Sequence, residues 1–131
     1  MSLKVAIVIE RVNIILGGAE RSVLELATAL SSVGADVTIL AARGQTNARN
    51  IKILCNEVRA KRVPFRKFAR AVRQHIAENH YDIIHSVVPL DFADVYQPRG
   101  GSYAEARIRN AASYSHGVIE AYKRLTAFAN F

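Results

Sequence analysis

Two strongly apolar runs flank one amphipathic stretch near the amino terminus, and together they constrain the fold more than any other feature. Lys4-Val5-Ala6-Ile7-Val8-Ile9 is β-branched with no polar alternation. That is the pattern of a strand buried on both faces, and such strands belong to parallel sheets covered by helices. From Ala19 to Val33, residues Ala19, Val23, Leu26, Ala27, Leu30 and Val33 recur at i, i+4, i+7, i+8, i+11 and i+14, one face of an α-helix. Gly34 follows and can take the left-handed conformation that ends a helix. Asp36–Ala41 reads as a second buried strand. This is a β-α-β unit, whose crossover is right-handed in nearly all proteins.

The alternation continues. Arg43–Asn50 is polar and loop-like, and Ile51–Val63 is ambiguous, with a short strand fitting either Ile51–Leu54 or Glu57–Val63. Phe65, Phe68, Ala69, Val72 and Ile76 share one face of a second helix. Tyr81–Val88 is a strand candidate, and Asp94–Gln97 a shorter one closed by Pro98. Ser102 and Glu105 have the spacing of a capping box, which predicts a helix from near Tyr103 to the chain end, with a break allowed at Gly117. The expected fold is α/β: a three-layer, Rossmann-like sandwich with a mostly parallel sheet, its 131 residues forming a single domain. The final segment, YKRLTAFANF, ends on Phe128 and Phe131 inside a helical pattern with no stop signal. We therefore expect a truncated half of a larger enzyme; the alternative is a last helix that docks its aromatics on the domain's own core.

Composition removes some classes. Half of the residues are hydrophobic and 22% are charged, which is globular rather than disordered. No apolar run reaches the roughly 20 residues of a membrane span, and no signal-peptide pattern is present. The lone Cys55 cannot form an internal disulfide and reads as a small apolar filler, which fits a reducing cytosol. The net charge of +7 points to an anionic partner: nucleic acid, an acidic membrane surface or a phosphorylated substrate. Arg66, Lys67, Arg70 and Arg73 lie beside the Phe65/Phe68/Val72 stripe, with Arg59, Lys61 and Arg62 just before it. Such a helix can rest on an anionic bilayer or hold an acidic acceptor; it can equally be an ordinary solvated face. Nucleic acid is not the expected partner, because aromatic interleaving, a recognition-helix pattern and zinc spacing are all missing. His75, His80, His85 and His116 show no i, i+4 pairing, so no metal site is expected.

The candidate chemistry lies in two glycine-bearing loops. Gly17 and Gly18 precede the first helix, but the loop from Glu10 is too long and the glycines too close together for a dinucleotide fingerprint. No lysine follows to make a Walker-type loop. Bare N–H groups and a positive dipole end would still stand at the carboxyl edge of the sheet, although a plain long turn reads the same way. Arg99-Gly100-Gly101-Ser102 follows a strand and opens a helix, so it falls at the same edge. There Arg99 can pair with a phosphate or carboxylate, or be a solvated loop cation. His85, at the end of its strand, can act as a base or hydrogen-bond a sugar hydroxyl; a strand-end histidine is also often structural.

The order of buried strand, long loop, GGAERSVLELATALSSVGADVTILAA, DIIHS and DVYQPRGGSYAEA resembles the N-terminal domain of GT-B glycosyltransferases of family 4. The nearest likeness is to lipopolysaccharide-core glucosyltransferases. The resemblance implies an acceptor-side domain facing a donor-binding C-terminal domain that is absent from this chain. It implies metal-independent, configuration-retaining transfer of a hexose from a nucleotide diphosphate sugar to a lipid-linked or polysaccharide acceptor. No cofactor is implied beyond that co-substrate. Gly17 and Gly18 match the loop that approaches the donor, with Arg99 joining them; His85, Gly100, Gly101, Tyr103 and Glu105 fall on the acceptor side. Where the relatives carry a carboxylate, this chain has Gly100, so no general base is evident and the chain alone is expected to be inactive. The expected location is cytoplasmic, peripheral at the inner membrane face through Arg66, Lys67, Arg70 and Arg73. A non-catalytic anion- or nucleotide-binding module and a basic nucleic-acid-associated domain are the alternatives.

Overall fold

The computed structural model describes residues 3–12, 18–44, 48–55, 63–97 and 107–108. In chain order these form β1 (Lys4–Val12), α1 (Gly18–Ser32), β2 (Asp36–Gly44), β3 (Ile51–Ile53), α2 (Phe65–Glu78), β4 (Ile83–Ser86), β5 (Val95–Tyr96) and β6 (Arg107–Ile108). The sheet order is β3-β2-β1-β4-β5-β6. The first five strands are parallel, and β6 pairs antiparallel with β5. The expected Rossmann-like sandwich is the one that forms.

Alternation along the strands builds the three layers, because successive side chains point to opposite faces. Val5, Ile7 and Ile9 of β1, with Val37, Ile39 and Ala41 of β2, pack against Val23, Leu26, Ala27 and Leu30 of α1. Ala6 and Val8, with Leu40 and Ala42, pack on the other face with Phe68 and Val72 of α2. Cys55 is buried on this second face. A strand with both faces covered has no place for polar alternation, which is why Val5–Ile9 of β1 reads as a continuous apolar run and β2 is apolar at most of its central positions.

Helix α1 stops as its sequence dictates. The Ala35 N–H donates to the Leu30 carbonyl at 3.0 Å and the Gly34 N–H to Ser31 at 3.1 Å, with Gly34 at φ 100°. This is the Schellman closure, and it needs a residue tolerant of positive φ.

Three expectations are corrected. Phe65 does not join the buried stripe of α2: it is 48% exposed, while Phe68 and Val72 are buried. Strand β2 runs through Arg43 to Gly44, into what reads as loop from polarity alone, because the ladder with β1 continues there. Arg107–Ile108 forms a strand rather than part of a continuous helix from Tyr103. Its pairing with Val95 and Tyr96 satisfies an otherwise open sheet edge, a tertiary gain that local helical pattern does not register. The capping-box residues Ser102 and Glu105, the alternative strand at residues 57–62 and the terminal segment lie outside the described residues.

Candidate functional site

In an open α/β sheet, ligands bind outside the carboxyl ends of the strands, at the point where strand order reverses. Here β1 lies between β2 and β4, so that point falls between the carboxyl ends of β1 and β4. Gly18 opens α1 at this edge. Gly17, Arg99, Gly100, Gly101, Tyr103 and Glu105 lie outside the described residues.

His85 is the third residue of β4, in register with Ile7 of β1 and Val95 of β5. Its exposure is 0%. The strand alternation that sends Ile83 and Val87 into the α1-side core carries His85 to the same face. Burial lowers its pKa from 6.5 to about 4, against a smaller upward pull from the Gln97 hydrogen bond. The ring is therefore neutral near pH 7, and its Nε2–H donates to Gln97 Oε1 at 3.0 Å. The Gln97 backbone N–H donates in turn to the Ser86 carbonyl at 2.8 Å. His85 thus holds the chain where it leaves β5, just before Pro98 and Arg99; it presents no surface to a substrate.

Ser86 and Asp94 escape a motif reading, and both prove to be internal braces. Buried Ser86 donates its hydroxyl to the Val88 carbonyl at 2.6 Å and accepts the Val88 N–H at 3.1 Å, closing the turn after β4. The buried Asp94 carboxylate accepts the Ile84 N–H at 2.7 Å, and its own N–H donates to the Ile84 carbonyl at 2.8 Å. The Asp-Val-Tyr segment therefore has a structural reason: the aspartate stitches β5 to β4 where only eight residues, Val87 to Asp94, connect two parallel strands.

On α2, Arg66, Lys67, Arg70 and Arg73 are all exposed. Arg73 lies 3.5 Å from Asp91, and its guanidinium sits 4.5 Å above the Phe92 ring. Pro64 occupies the N-cap without a side-chain hydrogen bond, and the first turn holds no acidic residue. Phe65, Arg66 and Lys67 thus open the helix as an aromatic and two cations. A second set of ionisable groups marks the opposite edge of the sheet. Asp82 accepts the Lys4 backbone N–H at 2.8 Å and pairs with His80 at 3.0 Å. The Lys4 bond, followed by His80, lowers its pKa despite partial burial. His75 meets the Tyr81 hydroxyl at 2.8 Å. Among the described residues no group of His, Cys, Asp or Glu could hold a metal ion, and neither described helix is long and apolar enough to cross a membrane.

Sheet order, layering and the helix opening at the carboxyl edge define a Rossmann-like domain. The Glycosyltransferase Family 4 profile matches residues 16–127, and the chain belongs to that family. Its fold is similar to that of the crystal structure of WaaG, a glycosyltransferase involved in lipopolysaccharide biosynthesis, with a TM-score of 0.64 and 17% identity over 96% of this chain. The chain spans 34% of the length of WaaG. No curated protein sequence matches it.

Proposed function

We propose that this chain is the acceptor-side half of a GT-B glycosyltransferase that moves a hexose from a nucleotide diphosphate sugar to a lipid-linked or polysaccharide acceptor. The observation that carries this reading is the opening of α1 at Gly18, at the carboxyl edge of a parallel sheet and inside the segment matched by the family profile. Helix-end N–H groups have no partner within the helix, and the dipole adds positive potential there. As the bond from sugar to pyrophosphate breaks, these fixed donors would meet the growing negative charge without having to reorganise. Transfer would retain configuration and need no metal ion. His85 would act through Gln97 as a positioning residue, setting the segment that carries Arg99. Gly100, Gly101, Tyr103 and Glu105 would shape the acceptor side.

The donor-binding domain would lie outside this chain, so the chain alone would be inactive. The head of α2, with Phe65 exposed beside Arg66 and Lys67, would rest on the anionic cytoplasmic face of a membrane, bringing the site to a lipid-linked acceptor. Saturation-transfer NMR with nucleotide sugars, free nucleotides and oligosaccharides tests the reading on the chain as it stands. Saccharide protons should receive saturation, and free nucleotide should bind weakly. Tight binding of a free nucleotide would instead favour a non-catalytic nucleotide module, and salt-steep retention of duplex DNA a nucleic-acid role.

A further inference from the structure

Among the described residues, one buried side-chain polar atom has no hydrogen-bond partner: Nε of Arg43. Arg43 stands at the next-to-last position of β2, on the carboxyl edge described above. An arginine donor left unpaired out of water carries the full cost of its lost hydration. Such a group in a folded protein calls for a specific explanation, a missing ligand atom among them. The strand register sets Arg43 directly opposite Arg11 of β1. Both side chains are partly buried. Gly44 then fixes the backbone just beyond: its φ is 143°, and any Cβ there would fall on the Val12 carbonyl oxygen. Arg43 is thus held on a strand end that is tightly clamped to β1, with a donor turned away from bulk water.

We propose that Arg43 is an oxyanion-binding residue for the acceptor, and that the acceptor carries a phosphate or carboxylate. The proposal rests on the family reading of this domain as the acceptor side. Arginine binds such groups through two parallel N–H donors, and the Nε–H with a neighbouring Nη–H is one such edge. One oxygen of the ligand takes the unpaired Nε–H. Placement favours the acceptor over the donor. Donor phosphates fall to the N-terminus of α1, which emerges from β1, whereas Arg43 lies one strand outward, on β2.

The test follows the Arg43 Nε–H resonance by ¹H–¹⁵N NMR, assigned by its loss in Arg43→Lys. Glucose 6-phosphate and glucuronate should shift it saturably, and neutral glucose should not. Pyrophosphate at equal concentration should shift it less than either acidic sugar. Arg43→Gln should weaken acidic-sugar binding about tenfold or more. No shift with either acidic sugar, an equal or larger shift with pyrophosphate, or unchanged affinity in Arg43→Gln would overturn the proposal. If Arg43→Gln does not fold, the titration of the parent chain still decides. Failure of saccharide binding in general, with Arg43 still answering to acidic groups, would count against the transferase reading instead.

Discussion

His85 shows how a single residue changes meaning between sequence and structure. At a strand end it is a candidate base; in the sheet it is a neutral donor with 0% exposure. The sign of its pH effect follows from its depressed pKa. The unfolded chain takes up a proton near 6.5, while the folded chain resists until about 4. Stability attached to His85 is therefore complete above 6.5 and declines as pH falls towards 4, by up to about 3 kcal/mol. Denaturant melts across that window should show the decline, and His85→Gln should flatten it. The pKa of His75 is also lowered, chiefly by burial, so it contributes with the same sign, and the difference between parent and variant isolates His85. A slope that is identical in both would refute the assignment. Gly44 and Gly34 make a second residue-scale contrast, as both have positive φ. Alanine at Gly34 meets nothing within 4 Å and should cost about 1 kcal/mol, the conformational penalty alone. Alanine at Gly44 collides with the Val12 backbone and should cost about 3 kcal/mol. Urea midpoints at constant slope measure both.

At the scale of elements, α2 carries a conflict that its packing does not require. Two cations, Arg66 and Lys67, occupy a first turn with no acidic residue and no side-chain cap, against the helix dipole. Folding alone would favour acidic residues there. Replacing both with glutamate should raise stability by about 1 kcal/mol in total. It should also lower association with phosphatidylglycerol vesicles about tenfold or more, read by flotation. Unchanged vesicle binding would remove α2 from any membrane role, and a loss of stability would overturn the dipole argument. Arg73 belongs to a different set: its contacts are with Asp91 and Phe92, and it ties α2 to the β4–β5 connection. That ion pair is exposed on both sides, so it contributes little by itself.

For the whole molecule, the strand order decides where ligand chemistry can occur. The carboxyl edge gathers the end of β1, Gly18, Arg43 and the turn at Ser86. The amino edge gathers Lys4, Asp36 and Asp82: the Lys4 N–H donates to the Asp82 carboxylate, and Asp36, in register with Lys4, donates its N–H to the Leu3 carbonyl. Adding saccharide should therefore move backbone amide resonances at Val12, Gly18, Gly44 and Val87, and leave those at Lys4, Asp36 and Asp82 in place. Perturbations centred on the amino edge would contradict the assignment of the site to the switch point.

The layered α/β architecture was legible because both-face burial and helical periodicity are local patterns: β1, α1 with its Gly34 stop, β2 and the Phe68/Val72 stripe all follow from residue order alone. The family likeness was legible in the same way, through the glycine-led helix and the Asp-Val-Tyr segment. What the sequence by itself could not determine depends on contacts between distant residues. Phe65 has the right period for the core but sits one turn beyond what covers it. Arg107–Ile108 becomes a strand because β5 offers an open edge. His85 becomes internal because β4 is flanked by β1 and β5, and Arg43 gains its meaning only when register sets it opposite Arg11 and leaves its Nε buried. Periodicity reports which face of an element is apolar; only the assembled sheet decides what that face meets, and so which polar groups lose water without gaining a partner.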